Sequence, residues 1–88
     1  MLSKRKHELD RFRRRAARCL RRHREEAELT QRELAKRMDI THVAVHKIET
    51  GLQRVELPLF CRWAKACGSD PVAVLREIVP SADRQGRR

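Results

Sequence analysis

The apolar residues in the first third of the chain recur at steps of three and four positions, which is the spacing of one face of an α-helix. This pattern predicts a first amphipathic helix from Lys4 to Ala27, with Ser3 as its N-cap. The apolar face of that helix consists of Leu9, Phe12, Ala16, Cys19, Leu20, His23 and Ala27. Such a face requires other elements to cover it.

Signals for helix ends predict a second and a third helix. Thr30 is followed three residues later by Glu33, which is the pattern of a capping box at a helix N-terminus. Asp39 then ends the second helix, because aspartate tolerates a left-handed backbone better than most residues. Thr41 can cap a third helix, which Gly51 closes.

A fourth and a fifth helix follow the same logic. Pro58 fits the first turn of the fourth helix, which Gly68 ends, and Asp70 caps the fifth helix with Pro71 at its first position. Their apolar positions are Leu59, Phe60, Trp63, Ala64 and Cys67, and then Val72, Val74, Leu75, Ile78 and Val79. Pro80 stops the fifth helix, and residues 80–88 have no pattern, so we predict a disordered tail. The fold class is therefore all-α, with five helices and no strands.

Composition and charge narrow the class of partner. The chain has 88 residues, which suits one small domain, and its 40% hydrophobic content is too high for a disordered chain. The net charge is +10, which favours a polyanionic partner, nucleic acid ahead of an anionic membrane surface. No apolar run approaches the roughly 20 residues of a membrane span. A secretory signal is not recognisable either, so we expect a cytoplasmic protein without a membrane partner.

Positive charge is concentrated in the first helix. Eleven of the 22 lysines and arginines lie between Lys4 and Arg24, against two acidic residues, Glu8 and Asp10. Packing does not require this density, and a run of charge is usually a solvated face. A role in phosphate contact is the alternative, because so much like charge is unfavourable without a counter-charge.

The cysteines do not form a recognisable site. Cys19, Cys61 and Cys67 are too few and too widely spaced for a disulfide framework. Cys19 and His23 are four residues apart and could face one metal ion from the same helix. The chain has no CxxC motif, however, and the other two cysteines are not spaced for a compact site. We therefore predict buried thiols, no metal site and no cofactor.

A turn of about three residues around Asp39 joins the second and third helices, which is the geometry of a helix-turn-helix. The stretch "LTQRELAKRMDITHVAVHKIETG" resembles the Cro/CI-like (XRE) helix-turn-helix family, with a lambda-repressor-like fold. The matching elements are Leu29-Thr30-Gln31, Glu33-Leu34-Ala35, the turn at Asp39, and Lys47-Ile48-Glu49 with Gly51. The following "GLQRVELPLFCRWAKACGSDP" also resembles the family. Residues 12–79 would then be the DNA-binding domain, and residues 1–11 a basic extension of the first helix.

The resemblance implies a DNA-facing surface. In the family the third helix lies in the major groove of double-stranded DNA, which makes His42, Val43, His46 and Lys47 the candidate base contacts. These side chains can donate to or accept from base edges, or contact a thymine methyl group. Gln31 matches the phosphate-binding glutamine of the family. The other expected phosphate contacts are Arg32, Thr41, Gln53 and Arg54.

The resemblance also assigns a structural pair. The family glutamate at the position of Glu49 pairs with an arginine of the first helix, and Arg24 occupies that place. We therefore expect Arg24 and Glu49 to form an internal ion pair. Glu28 and Asp39 depart from the family, because glycine is commonest at both positions, and we expect looser or strained turns there.

The leading functional hypothesis is a sequence-specific transcriptional regulator, a repressor that binds an inverted-repeat operator as a homodimer. A lone domain of this size covers too little groove for tight specific binding. The fifth helix is more apolar than a small core requires, which makes Val72, Leu75, Ile78 and Val79 the candidate dimer interface.

Two other functions stay open. The chain could be an antitoxin or restriction-controller protein of the same fold with a protein partner. It could also bind DNA or RNA without sequence specificity through the arginine-rich first helix. An enzyme is not expected, because the sequence has no catalytic triad, paired catalytic carboxylates or glycine-rich phosphate loop.

Overall fold

Five α-helices and their connecting turns form the computed structural model, which describes residues 2–79. The helices are α1 (Leu2–Glu26), α2 (Gln31–Met38), α3 (His42–Glu49), α4 (Leu57–Ala66) and α5 (Pro71–Ile78). Because the described residues include no β-strand, the predicted all-α fold is confirmed. None of these helices is both long enough and apolar enough to span a lipid bilayer. The predicted tail, residues 80–88, lies outside the described residues.

The predicted caps fix where α2, α3 and α5 begin. The Thr30 hydroxyl accepts a hydrogen bond from the Glu33 N–H at 3.0 Å, and the Glu33 carboxylate accepts one from the Thr30 N–H at 2.8 Å. These two bonds are the capping box. The side chains of Thr41 and Asp70 accept backbone N–H groups at 3.1 and 3.2 Å in the first turns of α3 and α5. The capping residues thus set the boundaries of three helices.

The ends of α1 differ from the prediction. The helix begins at Leu2, so the predicted N-cap at Ser3 is wrong, and it ends one residue before Ala27. The turn that follows places Glu28 in the left-handed region, with a φ of 59°. Asp39 adopts the same conformation after α2, with a φ of 57°. A left-handed backbone costs a non-glycine residue roughly 1–2 kcal/mol, so the expected strain is present at both turns.

The core forms where the five helices meet around Trp63, whose side chain is completely buried. The Trp63 indole N–H donates to the Leu20 carbonyl oxygen at 3.1 Å, which ties α4 to α1. The other fully buried large side chains are Leu20, Leu34, Met38, Val45, Ile48, Val74 and Ile78. Ile78, which was predicted to lie in a dimer interface, therefore belongs to the monomer core.

The apolar face of α1 is covered over only part of its length. Ala16, Cys19 and Leu20 are buried, but Leu9 and Phe12 are 65% and 38% exposed. These two residues of the predicted apolar face remain exposed, because the other helices cover α1 only from Ala16 onwards. An apolar strip of α1 is left in contact with solvent.

Arginines from one helix bind the C-terminal carbonyl groups of another. Arg15 of α1 donates to the carbonyl of Ile78 at 2.9 Å, and Arg37 of α2 donates to the carbonyl of Ala66 at 3.1 Å. Arg62 of α4 donates to the carbonyl of Met38 at the end of α2. A positive charge at a helix C-terminus compensates the partial negative charge of its free carbonyl groups. Three positive charges thus have a role within the monomer.

Candidate nucleic-acid interface

The corner between α2 and α3 sets the orientation of the candidate recognition helix. The left-handed backbone of Asp39 reverses the chain, and the Ile40 N–H donates to the Ala35 carbonyl oxygen at 3.0 Å. Thr41 then caps α3 only two residues beyond Asp39. This short, hydrogen-bonded turn holds the two helices in the predicted helix-turn-helix arrangement.

The two sides of α3 differ in burial. Val45 and Ile48 are 0% and 1% exposed and fix the helix to the core. The predicted base contacts lie elsewhere on the helix, where Val43, His46 and Lys47 are exposed and His42 is half-buried. Val43 is 50% exposed although it is apolar. The structure therefore brings all four predicted side chains to the accessible part of one short helix.

A buried ion pair braces α3 against α1. The Arg24 Nε donates to Glu49 Oε2 at 2.6 Å, and Arg24 Nη2 donates to Glu49 Oε1 at 3.1 Å. The remaining Arg24 Nη1 donates to the Leu29 carbonyl oxygen at 2.7 Å. The hydrogen bond with Glu49 raises the pKa of Arg24 above its ordinary value, which keeps the guanidinium charged. The expected partners are thus paired, and the bidentate geometry fixes the C-terminal end of α3.

Gln31 takes part in the same network. Its side-chain amide donates to Glu49 Oε1 at 3.0 Å, so the carboxylate is bonded by residues of both α1 and α2. The sequence predicted a phosphate contact for Gln31 and did not predict this bond. The backbone N–H groups of Gln31 and Arg32 remain for an acceptor outside the helix, because the Glu33 N–H bonds the Thr30 hydroxyl and only later N–H groups find intrahelical partners.

The other predicted phosphate contacts surround α3. Arg32 in the first turn of α2 is exposed, as are Thr41 at the start of α3 and Gln53 and Arg54 in the following loop. The Gln53 N–H donates to the carbonyl of Lys47 at 3.2 Å, which folds this loop back onto the end of α3. Both ends of α3 are therefore flanked by exposed residues that can bind phosphate.

Exposed arginines also follow one side of α1. Arg11, Arg14 and Arg18 are spaced at three and four residues and are exposed. Among the residues that the structure describes, none of these three forms an ion pair, whereas Arg21 and Arg22 pair with Glu25 and Glu26 at 3.1 Å. A strip of positive charge thus remains available on α1.

The predicted dimer residues are divided between core and surface. Val72 and Leu75 are 57% and 39% exposed, whereas Val79 is half-buried. Leu75 lines an apolar groove of about 480 Å³ together with Leu9, Phe12 and Leu57. The groove combines the uncovered strip of α1 with α5 and the start of α4, a combination that the sequence did not predict.

A cluster of polar side chains between α1 and α5 was also missed. The Cys19 thiol donates to Glu77 Oε1 at 3.4 Å, and His23 Nε2 lies 3.1 Å from the same oxygen. Burial, followed by the hydrogen bond to Glu77, raises the pKa of Cys19 to about 11, so the thiol is protonated at neutral pH. The spacing of Cys19 and His23 was the available signal, but nothing in the sequence pointed to Glu77.

Comparisons with known proteins agree with this geometry. A family model described as a helix-turn-helix domain matches residues 9–77. Two solved structures of the clp gene regulator ClgR from Corynebacterium glutamicum are similar, each at 27% sequence identity. One has a TM-score of 0.71 over 76% of this chain and 86% of that chain, and the other has 0.73 over 85% and 80%. No curated protein sequence matches the chain.

Proposed function

The chain belongs to the helix-turn-helix domain family, whose members are DNA-binding transcription regulators rather than enzymes, and we propose that it is a repressor that binds an inverted-repeat operator as a homodimer. The observation that supports sequence-specific binding best is the exposed side of α3. That side carries polar side chains and the exposed Val43, and the buried Arg24–Glu49 ion pair fixes the helix.

The side chains of α3 suit the edges of base pairs in the major groove. Lys47 can donate to the O6 and N7 atoms of guanine, and His42 and His46 can donate or accept at base edges. Val43 can contact a thymine methyl group, which explains why an apolar side chain is exposed at this position. We assign these four residues to base recognition.

The residues around α3 would hold the helix in register. We assign Arg32, Thr41, Gln53 and Arg54 to the phosphate backbone, because they are exposed at the two ends of α3. Gln31 would contribute through the backbone N–H groups at the start of α2, while its side chain holds Glu49. Because a transcription regulator must reach the chromosome, we propose that the protein is cytoplasmic.

We propose that a second copy of the chain covers the apolar groove. Leu9, Phe12, Leu57 and Leu75 line it, and Val72 and the half-buried Val79 extend the apolar surface along α5. An exposed groove with this lining is unfavourable in water and typical of an interface. Two copies related by a twofold axis would present two α3 helices to one face of the duplex.

Selection of bound sequences from a random pool of double-stranded DNA tests this proposal. The expected product is an inverted repeat whose half-sites are centred about 10 base pairs apart, one helical turn. A single half-site would argue against the homodimer, and a pool that shows no enrichment would argue against sequence-specific binding.

Non-specific nucleic-acid binding is the second candidate function. The exposed arginines of α1, Arg11, Arg14 and Arg18, support it because they form no ion pair within residues 2–79. A competition experiment separates the two functions. If excess random DNA displaces the protein equally well from every sequence, non-specific binding is favoured over operator recognition. An antitoxin would use the apolar groove lined by Leu9, Phe12, Leu57 and Leu75 to bind a protein partner instead of a second copy. Co-purification of an equimolar second protein would indicate that role.

A further inference from the structure

Three metal-ligating side chains meet where α1 packs against α5. The donor atoms of Cys19, His23 and Glu77 all lie within 4.8 Å of one another, and none of the three belongs to the proposed DNA surface. We propose that these residues form a binding site for a divalent transition-metal ion, and that zinc matches their donor atoms best.

Two of the three donor spacings are close to those of tetrahedral coordination, and the third, between Cys19 and His23, is within 4.8 Å. Zinc binds protein sulfur, nitrogen and oxygen at about 2.0–2.3 Å, so neighbouring ligand atoms of a tetrahedral site lie roughly 3.3–3.8 Å apart. Glu77 Oε1 lies 3.4 Å from Cys19 Sγ and 3.1 Å from His23 Nε2. An ion can therefore reach all three donors after small side-chain movements, and water would fill the fourth position.

The chemistry of the three donors selects the metal. A thiolate and a carboxylate together carry two negative charges, which balance a divalent cation, and imidazole adds a neutral donor. A sulfur ligand favours zinc and its neighbours in the first transition row over magnesium or calcium, which bind oxygen. Coordination requires the Cys19 thiol to lose its proton, which passes to solvent as the metal–sulfur bond forms.

A second residue orients the histidine for this role. Ser69 Oγ lies 3.0 Å from His23 Nδ1. Without a metal ion, the Nε2–H of His23 donates to the Glu77 carboxylate, which can only accept. When Nε2 binds a metal ion, the ring proton lies on Nδ1 and donates to Ser69 Oγ. Metal-binding histidines usually have their second nitrogen fixed by such a partner, so the arrangement around His23 is that of a ligand.

Arg22 neutralises the site when it holds no metal. Its guanidinium donates to Glu77, and Nη2 also lies 3.8 Å from Cys19 Sγ. The same side chain bonds Glu26 at 3.1 Å and is half exposed, so it can leave the cluster and retain a partner. Arg22 is thus a competitor for the metal, and its removal should strengthen binding.

Cobalt(II) is the most informative probe, because a cobalt–thiolate bond gives an intense near-ultraviolet charge-transfer band that other ligands do not give. The full chain, reduced and free of metal, is titrated with Co²⁺ and then with Zn²⁺. We expect one equivalent of cobalt to produce the band, and zinc to displace it. Replacing both other cysteines, Cys61→Ser with Cys67→Ser, should leave the band unchanged.

Two substitutions test the ligands separately. Cys19→Ser should abolish the band. Glu77→Gln should weaken binding by a factor of at least about ten, because even a partner that only orients a ligand contributes about 10–100-fold to metal affinity. Glu56→Gln is the matched control, because Glu56 is exposed and its side chain forms no capping hydrogen bond. At one fixed zinc concentration, zinc should raise the unfolding temperature of the parent and of the control by the same amount, and that of Glu77→Gln by less, since the stabilisation depends on the ratio of ligand concentration to Kd.

Arg22→Gln should bind cobalt more tightly than the parent. The proposal is overturned if the parent shows no cobalt–thiolate band, if the band persists in Cys19→Ser, or if Glu77→Gln and Arg22→Gln both bind like the parent. Any of these results would leave the cluster as a set of hydrogen bonds and ion pairs that joins α1 to α5.

Discussion

Lys47 and Arg54 are both exposed cations, but their loss should affect DNA binding in different ways. Lys47→Ala and His42→Ala should each weaken binding to the operator by about 1–3 kcal/mol and relax base preference, because we assign these side chains to base edges. Arg54→Ala should weaken binding to all sequences alike and reduce the slope of affinity against salt by about one, as expected for a phosphate contact. Titrations of operator and random DNA at several salt concentrations measure both effects.

If Lys47→Ala loses the same affinity for operator DNA as for random DNA, Lys47 does not contact the bases. A change of base preference in Arg54→Ala would likewise show that this residue does more than bind phosphate.

Glu49 should act through stability rather than through direct contact with DNA. Its side chain is 1% exposed, and Glu49→Ala would leave the Arg24 guanidinium buried without its carboxylate partner. Loss of one member of a buried pair typically destabilises a protein by about 3–5 kcal/mol. Denaturant unfolding monitored by helical circular dichroism measures the change.

The double variant Arg24→Met with Glu49→Leu is the control for this interpretation. It removes both charges, so it should recover much of the stability that Glu49→Ala loses. A Glu49→Ala variant with unchanged unfolding but lost DNA binding would contradict a structural role.

At the scale of the helices, the sequence predicted the features that depend on interactions between residues close together in the chain. The Thr30–Glu33 capping box, the caps Thr41 and Asp70, and the turn at Asp39 all depend on residues within four positions of one another. The helix-turn-helix corner could therefore be predicted together with the exposed side of α3, which carries the candidate base contacts.

Features that depend on contacts between residues far apart in the chain could not be predicted from the sequence. Leu9 and Phe12 continue the spacing of the apolar face of α1, but burial depends on whether another helix covers them. Ile78 and Leu75 are both apolar residues of α5, and only the packing of α1 and α4 separates core from surface. Glu77 reaches Cys19 across 58 positions, and no local pattern encodes that contact.

The two left-handed turns offer a test at this scale. Glu28→Gly should stabilise the fold by up to about 1 kcal/mol, because glycine adopts a φ of 59° without the steric penalty but gains entropy in the unfolded chain. Glu28→Ala is the control and should bring no such gain, since alanine keeps the penalty. Thermal and denaturant unfolding compare the three chains, and a destabilised Glu28→Gly would show that the Glu28 side chain contributes more than its backbone loses.

At the scale of the whole molecule, the net charge of +10 has more than one use. Arg24 is buried with Glu49, and Arg15, Arg37 and Arg62 bind carbonyl groups at helix C-termini. These four arginines have partners within the monomer, but the pairing of Arg24 with Glu49 leaves the net charge unchanged, and Arg37 and Arg62 remain exposed. The exposed arginines of α1 and the exposed cations around α3 add positive charge that can bind a polyanionic partner.

Assembly is tested by Leu75→Asp, which places a charge in the apolar groove while Leu75 is exposed enough for the monomer to fold. The variant should be monomeric in sedimentation experiments, because the substitution removes the apolar contacts of Leu75 and places a carboxylate, which is costly to desolvate, in the interface. Ala73→Asp puts the same charge on an exposed position of α5 outside the groove lining and should remain dimeric. Because two strongly positive copies repel each other, the parent dimer should tighten with salt or on DNA.

A folded Leu75→Asp chain that still dimerises would place the interface elsewhere. Equal loss of dimers in both variants would mean that charge on α5, rather than the groove, controls assembly.

The central claim is that α3 reads bases, and a selection with an altered α3 tests it most directly. The random-pool selection is repeated with Lys47→Gln, since glutamine favours adenine where lysine favours guanine. We expect the selected operator to change at one symmetric position in each half-site and to stay the same elsewhere. An unchanged consensus at comparable affinity would contradict the claim that Lys47, and with it the exposed side of α3, contacts the bases.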